Sequence, residues 1–187
     1  AREASQKLVD QALAKGSHDN VSAIVVRVAQ EVKAESGIDF EYMVGTMLEL
    51  PRACVTADKI AQEAEFFSFG TNDLTQYTLA IDRGHPILSA EADGLHPSIL
   101  QLIDQTVKAA HKYGKWVGIC GELAADPTAV PILMGLGVDE LSMSPNSIPL
   151  VKAQIRTLNY SQAQVLAKRA LECDSATAVR QLSEQEM

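Results

Sequence analysis

From Tyr42 onward, short apolar runs alternate with amphipathic stretches, and this alternation constrains the fold more than any other feature of the chain. Tyr42–Leu50, Phe66–Phe69, Lys115–Cys120 and Val138–Ser144 each read as a buried strand. A helical stretch follows each of them: Pro51 to about Ala64, Pro97 to about Tyr113, Asp126-Pro127 to Leu136, and Ser147 to Leu158. Strand and helix in fixed succession mean parallel strands with helical crossovers, so the class is α/β. The pattern suits a barrel and a doubly wound sheet equally.

Ahead of this repeat, Leu8, Ala12 and Leu13 predict a helix over residues 3–15, stopped at Lys15-Gly16. The β-branched run Val21–Val28 predicts a strand, and residues 29–36 a short polar helix closed by Gly37. Ser161–Cys173 and Thr177–Glu186 predict terminal helices. The expected division is a helix-strand segment over 1–28, the β/α body over 29–158 and C-terminal helices over 159–187.

The 187 residues are 47% hydrophobic and 21% charged, which suffices for one sizeable core. A net charge of −8 argues against a nucleic-acid or anionic-membrane surface. Three cysteines (Cys54, Cys120, Cys173) without CxxC spacing make a disulfide framework or structural zinc a poor reading, and point to a reducing cytoplasm. No apolar run is long enough for a bilayer, and Ala1-Arg2-Glu3-Ala4 does not read as a signal peptide.

The strand ends carry the polar groups. Phe66-Phe67-Ser68-Phe69-Gly70-Thr71-Asn72-Asp73 is an apolar strand delivering an amide and a carboxylate to the C-terminal mouth of a parallel sheet, where α/β folds keep their chemistry. Glu49 ends the preceding strand. Two carboxylates on neighbouring strands could share one Mg²⁺, with water and substrate oxygens completing its shell. Glu49 could instead pair with Arg52, and Asp73 could be a helix N-cap. Arg83 has the two-pronged donor geometry that grips phosphate or carboxylate, or it pairs with Asp82 on the surface. Cys120, in Gly118-Ile119-Cys120-Gly121-Glu122, is either an accessible proton donor or an inert packed thiol. His18, His85, His96 and His111 lack metal-ligand spacing.

Residues from about Val28 to Leu158 resemble the C-terminal half of the phosphoenolpyruvate-binding (β/α)₈ barrel. The resemblance rests on Gly45–Ala53 (GTMLELPRA), Phe66–Gln76 (FFSFGTNDLTQ), Gly118–Leu123 (GICGEL) and Leu136–Ser144 (LGVDELSMS). That barrel is shared by Enzyme I of the sugar phosphotransferase system (phosphoenolpyruvate-protein phosphotransferase), pyruvate phosphate dikinase and phosphoenolpyruvate synthase. The resemblance implies parallel β/α units forming the second half of a TIM barrel, with the N-terminal helix and strand as an addition. It also implies Glu49 and Asp73 as Mg²⁺ ligands, Asn72 and Arg83 as phosphoenolpyruvate contacts, and Cys120 as the acid that protonates the enolate to pyruvate. In the family, the phosphoryl group passes to a histidine on a separate domain and on to a phosphocarrier protein. No Thr-Ser-His signature of that domain occurs here.

Residues 28–69 look more like the dikinase and residues 77–158 more like Enzyme I. Residues 1–28 resemble the end of a PP2C-type phosphatase, with Asp19 at its metal position. A dikinase or synthase fragment, or a recombined non-catalytic scaffold, are the alternative readings. Four barrel strands fall short of the eight a closed barrel needs. The exposed edges of a half barrel point to a homo-oligomer.

Overall fold

The computed structural model describes residues 21–186, with side chains from residue 29 onward. The helix expected over 3–15 and the position of Asp19 lie outside those residues. The first element is helix α1, Val21–Ser36. The strand expected at Val21–Val28 is therefore replaced by helix. No glycine or proline interrupts residues 21–36, and the helix formers Ala29, Gln30, Glu31, Lys33, Ala34 and Glu35 continue the run. Val25, Val28 and Val32 also recur at the spacing of one helical face. The helix stops where expected, at Gly37 with φ +68°.

Four strands form one sheet in the order β1-β2-β3-β4: Thr46–Leu48, Phe66–Gly70, Trp116–Cys120 and Glu140–Ser142. All three pairings are parallel. Crossovers between parallel neighbours are right-handed, so sequential order keeps the connecting helices on one face. A doubly wound sheet reverses its order partway, and this one does not. The architecture is mixed α/β, consistent with consecutive β/α units of a barrel.

β1 is shorter than Tyr42–Leu50. The Val44 N–H bonds the Glu65 carboxylate instead of a ladder carbonyl, so pairing with β2 begins only at Thr46. The helix expected from Pro51 splits into α2 (Pro51–Val55) and α3 (Ala57–Ile60). At the break, Thr56 Oγ1 donates to the Arg52 carbonyl at 2.9 Å, the back-bonding by which threonine bends helices.

The remaining helices are α4 (Thr71–Leu79), α5 (Pro97–Lys112), α6 (Val130–Gly135), α7 (Ile148–Thr157), α8 (Tyr160–Leu171) and α9 (Ala176–Glu186). Helix α5 starts as its sequence predicts: the His96 side chain accepts the Ser98 N–H, and proline follows the cap. Helix α6 starts later than Asp126-Pro127, because Asp126 Oδ1 takes the Thr128 N–H at 2.9 Å and holds a turn first.

The core lies between the sheet and its helices. Leu48, Phe67, Phe69, Val117 and Ile119 are fully buried on one sheet face, with Ile99, Leu100, Ile103 and Ala110 of α5 equally enclosed. Phe66, Ser68 and Trp116 alternate to the other face and are half-buried. Phe66 stacks on Trp116 there, ring centroids 4.4 Å apart. Met47, also on that face, is 49% exposed. Among the described residues, one face of the sheet is thus covered and the other is open. Among the described residues, no helix is long and apolar enough to cross a membrane.

Candidate active site at the strand ends

Ladder register brings the polar strand ends together. Leu48 pairs with Phe69, which sets Glu49 beside Gly70, and Gly70 in turn pairs with Cys120 and Cys120 with Ser142. A side chain at Gly70 would meet Glu49 at 3.0 Å, at both Cβ and carboxylate Oε2. The glycine is what lets the Glu49 carboxylate lie across the end of β2.

Beyond Gly70 the chain turns straight into α4, so Asn72 and Asp73 occupy its first turn. The helix cap is Gly70, and Asp73 is not an N-cap. A carboxylate in a first turn is favoured by the helix dipole. Asn72 lies over the loop after β3. A Cβ at Gly121, whose φ is +116°, would fall 2.7 Å from Thr71 Oγ1 and 3.4 Å from Asn72 Oδ1. Thr71 Oγ1 donates to the Cys120 carbonyl at 3.3 Å, tying the two strand ends.

Arg83 pairs with Asp73 rather than Asp82. Its Nη2 lies 3.6 Å from Asp73 Oδ1, while Asp82 Oδ1 accepts the Gly84 N–H. The Arg83 N–H donates to Gln76 Oε1 at 3.1 Å, fixing the loop to α4. At 3.6 Å and with Arg83 exposed, the ion pair is loose and the guanidinium is available to another anion. Glu49 forms no ion pair with Arg52 among the described residues. The Cys120 thiol is half-buried and donates to the Phe69 carbonyl at 3.3 Å. Cys54, by contrast, is buried, and burial pushes its thiol up.

The donor set suits a hard cation. Glu49 and Asp73 offer carboxylate oxygens on adjacent β/α units, neither held in a tight ion pair. Among the described residues, no cluster of three or more His, Cys, Asp or Glu exists. Two carboxylates with waters and substrate oxygens is the arrangement Mg²⁺ tolerates, since it keeps much of its hydration.

A cleft of about 550 Å³ is lined among others by Asn72, Arg83, Asp93, Glu122, Asp126 and Arg180, but not by Glu49, Asp73 or Cys120. A second, of about 540 Å³, is bounded by Asn72, Gly121, Ser142 and Ser144. Asn72 faces both. The site residues predicted from sequence lie at one end of the sheet, Glu49 and Cys120 on either side of Gly70 and Asn72, Asp73 and Arg83 beyond it. Of the five, Asn72 and Arg83 line the first cleft. Asp93, Asp126 and Arg180 were not foreseen. They stand 87 and 54 residues apart, and no local pattern joins them.

The profile of the family "PEP-utilising enzyme, PEP-binding domain" matches residues 17–160. A multiphosphoryl transfer protein of Xanthomonas campestris pv. campestris is 51% identical over 162 residues, covering 87% of this chain and 19% of that protein. A phosphoenolpyruvate-protein phosphotransferase of Haemophilus influenzae is 46% identical over 166 residues, 88% of this chain and 29% of its own length. The corresponding protein of Buchnera aphidicola subsp. Schizaphis graminum is 44% identical over 144 residues, 77% of this chain and 25% of the relative.

The chain spans less than a third of each of these relatives. The Haemophilus influenzae relative, matched over 88% of the chain, runs through both 28–69 and 77–158. The family match also begins at residue 17, within the segment that resembles a PP2C-type phosphatase, and that resemblance gains no support. The chain belongs to the phosphoenolpyruvate-binding domain family of the phosphoenolpyruvate-utilising enzymes.

Proposed function

We propose that this chain is part of the catalytic domain of a phosphoenolpyruvate-protein phosphotransferase, with phosphoenolpyruvate and pyruvate as its ligands. The observation that carries this reading is the register that sets Glu49, Gly70 and Cys120 side by side, with Asn72 and Asp73 directly after Gly70. The names of the relatives support the phosphotransferase assignment over a dikinase. The body of the domain is residues 29–158, preceded by 1–28 and followed by the C-terminal helices over 159–187.

Arg83 and the Asn72 amide hold the phosphate and carboxylate of the substrate. Glu49 and Asp73 would hold Mg²⁺, which when bound supplies positive charge against the phosphoryl oxygens. The P–O bond of phosphoenolpyruvate breaks as a histidine nitrogen on a phosphohistidine domain takes the phosphoryl group. The electron pair left on oxygen gives the pyruvate enolate. Its methylene carbon takes the proton of the Cys120 thiol, and solvent reprotonates the thiolate. Releasing Arg83 from the loose Asp73 pair costs little, so the guanidinium can turn to the incoming anion. A phosphocarrier protein of the sugar transport system is the next acceptor, in the cytoplasm.

The end strands β1 and β4 each leave one edge unpaired within this sheet, and a second copy or the rest of a barrel would close them. We assign a homo-oligomer to the isolated chain. Calorimetric titration with phosphoenolpyruvate in the presence of Mg²⁺ tests the functional reading. Binding by the wild type that Asp73→Ala abolishes is expected, and no heat at millimolar ligand contradicts it.

A further inference from the structure

Arg180 lies near the end of the chain, on the face of α9 that packs inward. Its neighbours on that face, Val179 and Ser183, are fully buried, and Ser183 Oγ donates to the Thr128 carbonyl at 2.8 Å. The guanidinium makes three charge-assisted bonds. Nε and Nη2 grip the Asp93 carboxylate at 2.6 and 2.8 Å, and Nη1 reaches Asp126 Oδ2 at 2.8 Å. The two aspartates come from different β/α loops. Asp93 closes the loop that Arg83 opens, and Asp126 closes the segment that leaves β3 at Cys120 and Gly121.

We infer that Arg180 is a positioning residue for the phosphoenolpyruvate site, a clamp from the C-terminal helix that holds the Arg83 loop against the Cys120 loop. The loops also come close at Gly94, where an added Cβ would sit 3.2 Å from the Leu123 side chain. Arg180 and both aspartates line the same cleft as Asn72 and Arg83. The loop segment 81–91 is tied to α4 at its start by the Arg83 N–H bond to Gln76, and internally by His85 Nδ1, which accepts the Ile87 and Leu88 N–H groups. Ile87 is 75% exposed, and Arg180 anchors the far end of the loop at Asp93. The bidentate grip on Asp93 specifies orientation as well as distance, which a point charge would not. Burial pushes the Asp93 carboxyl up, but the Arg180 hydrogen bonds and the Leu95 N–H outweigh it and hold it below the usual carboxylate range. The aspartate thus stays charged and the clamp closed at neutral pH. Arg180 touches no reacting atom in this scheme. It acts through the loop that presents Arg83.

The inference rests on the phosphoenolpyruvate reading above, and its test separates the two. Wild type, Arg180→Gln and Arg180→Lys are titrated with phosphoenolpyruvate and Mg²⁺ by calorimetry, and amide hydrogen exchange is followed over residues 81–96 and 121–128 without ligand. Arg180→Gln is expected to bind about tenfold more weakly, within the range for residues coupled through one network, and to exchange faster in both loops. Arg180→Lys, which keeps the charge and loses the fork, is expected to fall between and supplies the comparison if Arg180→Gln does not fold. Unchanged affinity, or loop exchange that does not respond, overturns the positioning role alone. A wild type that shows no heat overturns the phosphoenolpyruvate reading and the positioning role with it.

Discussion

Asn72 lies across the backbone of Gly121: a methyl group placed there would stand 3.4 Å from Asn72 Oδ1 and 2.7 Å from Thr71 Oγ1. The φ of +116° with ψ of −176° is a conformation that essentially only glycine adopts. Glycine at this position is thus needed both for the turn after β3 and for the approach of the site amide. Gly121→Ala is expected to destabilise the fold by about 1–3 kcal/mol and to weaken phosphoenolpyruvate binding. Urea denaturation and calorimetry measure the two effects.

The Asp93–Arg180 pair gives a pH dependence whose sign follows from the lowered folded-state pKa of Asp93. In the unfolded chain the group titrates near pH ~3.9. A depressed carboxylate contributes stability above that value and loses it as pH falls through the folded-state pKa. Wild type is therefore expected to exceed Asp93→Asn in stability at neutral pH, with the difference shrinking in acid. Asp58 is also lowered, first by the hydrogen bond from Lys112. Its contribution is present in both proteins and cancels. A stability difference that stays constant from pH 7 to strong acid would count against the assignment.

Phe69 is fully enclosed between the sheet and the helices, one residue before the glycine that admits Glu49. Removing a buried aromatic ring costs about 3–5 kcal/mol, so Phe69→Ala is expected to lower the thermal midpoint steeply. Tyr77, 55% exposed on α4, serves as a control: Tyr77→Ala is expected to change stability by about 0.5 kcal/mol or less.

Among the described residues one sheet face is open and β1 and β4 each have an unpaired edge, which predicts self-association. Light scattering at micromolar concentration is expected to report a dimer or larger species. A clean monomer contradicts the homo-oligomer.

Much of this arrangement is legible in the residues themselves. β2, β3 and α5 follow from apolar runs bounded by glycine, proline and a cap, where propensity and pattern agree. The convergence of Glu49, Asn72 and Cys120 is legible because parallel strands in sequential order put all their C-terminal ends on one side. Val21–Val28 is different. Its β-branched composition favours a strand, yet it pairs with no strand among the described residues and continues into good helix formers, so the longer pattern prevails. The break at Thr56 and the delayed start of α6 each turn on one side chain bonding nearby backbone, below the resolution of periodicity. Arg180 is invisible for another reason. Its meaning lies in two aspartates brought to it by tertiary packing, and no spacing in the chain encodes that meeting.

We propose that Glu49 and Asp73 together form a divalent-metal site completed by phosphoenolpyruvate. Mn²⁺ substituted for Mg²⁺ and followed by electron paramagnetic resonance, with and without phosphoenolpyruvate, tests it most directly. Protein-bound Mn²⁺ is expected to increase when phosphoenolpyruvate is added and to be lost in both Glu49→Gln and Asp73→Asn. Binding that survives both substitutions, or that never responds to phosphoenolpyruvate, would contradict it.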